Sequence, residues 1–174
     1  PSNSSAASDV YKRQIRRLLI RAAQQKTIPI VNYNDPVSDE ENRKMELAIR
    51  RSHGDQVVEC VDNDETAAVI ANLVHAKKLV LMTSTEGIYR DPADPQTLVE
   101  QVTAKSMEEL EEKVRQLQES CVGASRAGAN GAKAKLEYAL KSARQGTMVI
   151  IGHARHRLSD LVEGRVACTR IGLE

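Results

Sequence analysis

Four short polar stretches hold residue types that could do chemistry: "NYND" at 32–35, "DND" at 62–64, "TST" at 83–85 and "GASRAGANGAKAK" at 123–135. In the last, Gly123, Gly128 and Gly131 would let backbone amides approach an anion closely. Two lysines, Lys133 and Lys135, fall where a helix should begin. A helix start carries partial positive charge, so cations are mildly unfavourable there unless an anion joins them. A nucleotide phosphate would complement the amides, the dipole and both lysines. The plainer reading is a surface loop with exposed lysines. The string is neither a G-x-x-x-x-G-K-[ST] loop nor a G-x-G-x-x-G fingerprint.

In "DND", Asn63 could hydrogen-bond a polar substrate, and Asp62 and Asp64 could hold Mg²⁺ or orient a lysine. Phosphoryl transfer is mostly positioning and charge neutralisation, and these residue types suit both. The same letters are also preferred helix N-caps, and "NYND" suits an ordinary turn at a strand end. Near the end of the chain, His153, Arg155, His156 and Arg157 form a basic cluster that could touch phosphate or simply face water. Cys60, Cys121 and Cys168 lie far apart without metal-ligand spacing, which reads as buried reduced thiols.

These groups need elements to position them. "IRRLLIRAAQQK" (15–26) places Ile15, Leu18, Leu19, Ala22 and Ala23 on one helical face. A short buried strand is expected over Ile28–Val31, with Pro29 at its start. A charged helix is expected over 38–54, opened by Ser38 and Glu41 and closed by Gly54. A strand-like piece before "DND", a small-residue helix over 65–78 and strands "KLVLMT" (78–83) and "TMVIIG" (147–152) follow. The last two are continuous apolar runs, the pattern of strands covered on both faces. Residues 84–95 read as a loop. A surface helix over 106–120 has a Ser106–Glu109 capping box and the stripe Met107, Leu110, Val114 and Leu117. Helix 131–145, a short helix capped by Ser159 and one or two strands within 165–173 complete the chain. Helices alternating with covered strands predict an α/β fold: a mainly parallel sheet with helices on both faces. In such sheets ligands bind beyond the carboxyl ends of the strands, where the four polar stretches fall.

Composition narrows the function classes. The 174 residues suit one domain, and with no Phe or Trp the core must be aliphatic. A net charge of +1 gives no global nucleic-acid footprint. The apolar runs are too short for a membrane span or a signal peptide. The opening "PSNSSAASDVYKRQ" reads as a translated adaptor-like tail, so residues 1–14 are expected to be non-native and the domain to occupy 15–174.

With these residues in place, the order of segments resembles the amino acid kinase family, and within it the C-terminal part of the glutamate 5-kinases. The resemblance rests on "IPIVNYND", "VDNDETAAVIANLVHAKKLVLMTSTEGIYRDPADP", "GANGAKAKLEYAL" and "VIIGHARHRLSDLVEGRVACTRI". It implies a three-layer kinase sandwich, incomplete at its amino end. It also implies ATP- and Mg²⁺-dependent phosphorylation of the side-chain carboxylate of glutamate, the first step of proline synthesis, by a cytoplasmic homo-oligomer without nucleic-acid or membrane partners. Carried over motif by motif, Asp35 and Asn63 would contact the amino acid, and Asp64 would orient the catalytic lysine. Thr83 and Ser84 would lie near the nucleotide. Ala129, Asn130, Gly131, Ala132, Lys133, Ala134 and Lys135 would line its phosphates. Lys135 aligns best as the transition-state lysine because Leu136 follows it, with Lys133 the alternative.

The sequence also departs from that pattern. The family's early glycine-rich loop has no counterpart, because the first glycine is Gly54. The charged helix 38–54 lengthens the segment between "NYND" and "DND". Ser84 stands where glutamate 5-kinases usually carry Asp, Asn130-Gly131 stands for Gly-Gly, and Ala134 replaces a Thr. A uridylate, acetylglutamate, carbamate or aspartate kinase would share the plan, and a non-catalytic nucleotide-binding or subunit-interaction module would keep the fold alone.

Overall fold

A computed structural model describes residues 3–31, 63–91, 93–120 and 131–174. The expectations for 32–62 and 121–130, including Asp35, Asp62, Ala129, Asn130, Cys60, Cys121 and helix 38–54, lie outside the described residues. The chain divides into two compact units, Pro1–Val74 and His75–Glu174.

In the first unit, α1 (Asn3–Gln24) packs with α2 (Asn63–Val74). Arg16 Nε donates to Leu73 O at 2.9 Å, placing a cation on the carbonyls at the end of α2. Helix α1 begins well before residue 15, inside the stretch expected to be a tail. It stops in a Schellman-type turn: Lys26 takes a left-handed φ of 57°, and Thr27 N–H donates to Ala22 O at 2.9 Å. Of its expected face, Ile15, Leu19 and Ala22 are half-buried, whereas Leu18 and Ala23 are exposed.

The strand expected over Ile28–Val31 is not formed, and Ile28 and Ile30 are 86% and 95% exposed. β-branched residues favour a strand only when another strand takes their backbone groups. No pairing partner for this segment occurs among the described residues.

The second unit holds a four-stranded sheet of β1 (Lys78–Thr83), β2 (Gln101–Ala104), β3 (Met148–His153) and β4 (Thr169–Leu173), in the order β1-β3-β4-β2. β1 pairs parallel with β3 and β2 parallel with β4, while β3 and β4 run antiparallel. The sheet is therefore mainly parallel, as expected. Helices α3 (Met107–Ser120) and α4 (Gly131–Ala143) pack on each other and on the β2–β4–β3 part, and α5 (Leu158–Glu163) packs on β1 and β3.

Alternation along β3 separates the two faces. Ile150 joins Leu161 of α5 and Cys168 in one cluster, while Val149 and Ile151, equally buried, point to the other face. Register puts Ile171 and Val102 on that second face, with Leu110 and Val114 of α3 and Leu136 and Ala139 of α4 buried in the same unit. The core is aliphatic, as the absence of Phe and Trp requires.

Two local expectations are corrected, and one unassigned stretch forms a strand. β1 is an edge strand of the described sheet with Met82 45% exposed, so it is not covered throughout; β3, in the interior, is. Ser159 does not cap α5: the cap position is Arg157, with no side-chain cap bond, and Ser159 lies in the first turn. β2 falls between the loop and the surface helix, where the sequence pattern assigns no element, because four residues with only Val102 and Ala104 buried carry too little alternation.

Candidate functional site

Helix α4 enters β3 through the short turn Arg144–Thr147. Gly146 closes that turn at a φ of 81°, and Thr147 N–H donates to Ser142 O at 3.2 Å. The Thr147 hydroxyl donates to Ala76 O at 2.7 Å, tying the end of α4 to the entrance of β1. A helix joined to a strand by so short a turn runs back against it. Thirteen helical residues span ~20 Å, and six strand residues also span ~20 Å. The start of α4, with Gly131, Ala132, Lys133, Ala134 and Lys135, therefore comes level with the carboxyl ends of β1 and β3.

The first turns of the helices differ in charge. α2 opens with Asp64 and Glu65 and α3 with Glu108 and Glu109, the carboxylates a helix start favours. α4 has no acid there and carries Lys133, exposed, and Lys135, half-buried beside the fully buried Leu136. A Cβ built on Gly131 meets no described atom within 4 Å, so the packing around it does not demand glycine.

The loop leaving β1 reaches the same edge of the sheet. Thr83, half-buried, accepts the Ala154 N–H through its carbonyl at 2.8 Å, and Ser84 is exposed. Gly87 is buried, and a Cβ there would lie 2.4 Å from Thr169 Oγ1, the hydroxyl to which Ile88 N–H donates at 2.8 Å. Between these anchors, Glu86 Oε2 lies 2.6 Å from His156 Nε2 and the other carboxylate oxygen pairs with Arg155. Arg155 of the basic cluster at 153–157 is therefore ion-paired by a residue of the β1 loop. Sequence reading missed Glu86, since nothing local relates it to residues about seventy positions later.

The fold thus brings Thr83, Ser84 and the 131–135 segment to one edge of the second unit. Asn63, exposed, and Asp64, half-buried, open α2 of the first unit. Among the described residues no group of three or more His, Cys, Asp or Glu could hold a metal ion. No helix among the described residues is long and apolar enough to cross a membrane.

Comparison with known proteins matches this arrangement to one family. The model of the "Amino acid kinase family" matches residues 3–153. The glutamate 5-kinase of Gloeobacter violaceus is 32% identical over 151 residues, covering 84% of this chain and 35% of that protein. The acetylglutamate kinase of Methanopyrus kandleri is 46% identical over 59 residues, covering 34% of this chain and 24% of that protein. The chain therefore spans about a third or less of the length of these two relatives. Among solved structures, the carbamate kinase from Giardia lamblia bound to AMP-PNP superposes with a TM-score of 0.49 and 19% identity, over 65% of this chain and 32% of that one.

Proposed function

Because the chain belongs to the amino acid kinase family, we propose that the whole protein transfers the terminal phosphoryl group of ATP to the side-chain carboxylate of glutamate. The observation that carries this reading is the start of α4: two lysines and no acid at a helix terminus level with the carboxyl ends of β1 and β3. That edge suits triphosphate oxygens and repels cations.

A carboxylate oxygen of glutamate attacks the γ-phosphorus, the bond to ADP breaks, and an acyl phosphate forms. The nucleophile is already ionised near neutral pH, so the site needs no general base. It needs cations and amides that neutralise charge spreading over the phosphoryl oxygens, as lysines and backbone N–H groups do. In this reading Lys135 stabilises the transferring group, Asp64 orients it, and Asp35 and Asn63 hold the amino acid. Thr83 and Ser84 border the nucleotide, and residues 129–135 line its phosphates. Mg²⁺ would enter with ATP and supply further charge neutralisation. The enzyme would act in the cytoplasm at the start of proline synthesis, as a homo-oligomer.

The test is Lys135→Ala in the complete gene product. Glutamate-dependent ADP release should fall by about 10²–10³-fold, with nucleotide affinity little changed. Unchanged turnover would remove Lys135 from the mechanism. The 174-residue chain alone should release no ADP, since the glycine-rich loop of the family's first half has no counterpart in it.

The 46% identity of one segment to an acetylglutamate kinase favours a second reading, in which the fold and ATP are the same and the amino group of the substrate is blocked. Thermal shifts with glutamate, N-acetylglutamate, aspartate and UMP, each with Mg-ATP, separate the substrates, because only a ligand of the folded state raises its melting temperature. No shift with ATP itself would leave neither kinase reading standing.

A further inference from the structure

We infer that Glu86 is a positioning residue for the nucleotide end of the site: by clasping Arg155 and His156 it holds the β1 loop, and with it Thr83 and Ser84, in one place. The inference rests on the proposed kinase reading for its consequence, though not for its geometry.

The loop is pinned by backbone on either side of Glu86. On one side, Thr83 O accepts from Ala154 N–H at 2.8 Å. On the other, Ile88 N–H donates to the buried Thr169 hydroxyl at 2.8 Å, and Ile88 O accepts from Val99 N–H at 2.8 Å. Between them, Ser84 and Thr85 are exposed, and the Thr85 hydroxyl reaches only its own loop, at Gly87 O. Among the described residues, the Glu86 side chain supplies the remaining tie. It is 17% exposed, so its carboxylate is largely withdrawn from water and must be partnered. Both partners come from the loop after β3: His156 Nε2 at 2.6 Å and the Arg155 guanidinium. That loop is itself ordered, since Arg155 N–H donates to His153 Nδ1 at 3.0 Å and His156 N–H to His153 O at 3.1 Å. Glu86 therefore joins the two loops that leave the adjacent parallel strands β1 and β3, at the edge where ligands of such sheets bind. Glu86 also pairs with the Arg155 guanidinium, so that charge is not left open at this edge of the sheet.

Two measurements test this. Amide exchange in the 174-residue chain without nucleotide reads the clasp alone, and Mg-ATP affinity of the complete gene product reads its consequence. In Glu86→Ala, exchange at residues 84–88 should quicken while β3 stays protected, and ATP affinity should fall about fivefold. Glu86→Gln keeps one acceptor oxygen but turns a donor NH2 towards the other partner, so its loss should fall between wild type and Glu86→Ala. Arg155→Ala, whose side chain is 64% exposed and safe to truncate, should give a smaller loss in the same direction if Glu86→Ala does not fold. A merely structural Glu86 would lower the melting temperature of Glu86→Ala and leave ATP affinity unchanged; that result overturns the inference, as does unaltered loop exchange. If wild-type protein fails to bind Mg-ATP, the kinase reading fails, and the claim about the nucleotide fails with it whatever the exchange shows.

Discussion

Two glycines show how differently the same residue type is used. A Cβ on Gly152 would lie 2.3 Å from Leu161 Cδ2, and Leu161 is fully buried with nowhere to retreat. Gly152→Ala should therefore cost about 1–3 kcal/mol of overpacking, seen as a lower urea midpoint at unchanged slope. Gly131 is the opposite case. Its space is open among the described residues, and it begins a helix, where alanine is the better former. Gly131→Ala should leave the urea midpoint unchanged or slightly raised while weakening Mg-ATP binding, as expected if phosphate approaches that backbone in the proposed site. Equal affinity in the two proteins would mean no phosphate comes close to that backbone. Gly131 was legible as part of a glycine-rich motif, whereas the demand for glycine at Gly152 shows only in the packing against Leu161. Glu86 was illegible for a related reason: its partners are set by strand order, which no local pattern encodes.

At the scale of elements, α3 was the easiest to read and α5 the least. The narrow stripe of α3 is buried at Leu110, Val114 and Leu117, and Ser106 Oγ accepts the Glu109 N–H at 3.2 Å. The reciprocal bond lands one residue early: Lys105 N–H, not that of Ser106, reaches Glu109 Oε2, at a long 3.4 Å. Ser106→Ala should cost about 1 kcal/mol in urea denaturation. The carboxylates of this helix also make its stability depend on acid. Lys113, and then the Lys105 N–H, hold the Glu109 carboxyl below its ordinary 4.5, and hydrogen bonds from Arg115 and Gln116 do the same for Glu112. A lowered folded pKa stabilises the fold fully above the unfolded value and ceases to do so as pH falls through the folded one. Amide protection in α3 should accordingly decline as pH drops below 4.5, and added salt at neutral pH should mimic part of the loss, since these groups lie at the surface. A profile flat in acid would mean the ion pairs do not bear on the helix. In α5, Ser159 had the right residue type for a cap and the wrong offset, because six residues offer too little periodicity to fix where a helix starts. β2 escaped notice for the same reason, being four residues long.

The fold class was legible in the whole chain because continuous apolar strands and amphipathic helices alternate through the second unit, and that alternation has few packed solutions. The misread strand at 28–31 lies in the first unit, where the described buried residues are Thr66, Ala68 and Ala71. Small side chains remove little apolar surface from water, and they contribute correspondingly little. The second unit buries Leu81, Leu110, Val114, Leu136, Ile150, Ile151, Leu161 and Ile171, and all three strand pairings close within it. Stability should follow that division. Residues 75–174 expressed alone should fold, giving the same amide shifts at Val149–Ile151 as in the longer chain and the slowest exchange at those positions. Amides of Thr27–Val31, without a strand partner among the described residues, should exchange near the rate of an unprotected chain. A fragment from residue 75 that stays unfolded in native buffer would show that its sheet is completed by contacts outside it, and that the aliphatic core named above is insufficient by itself.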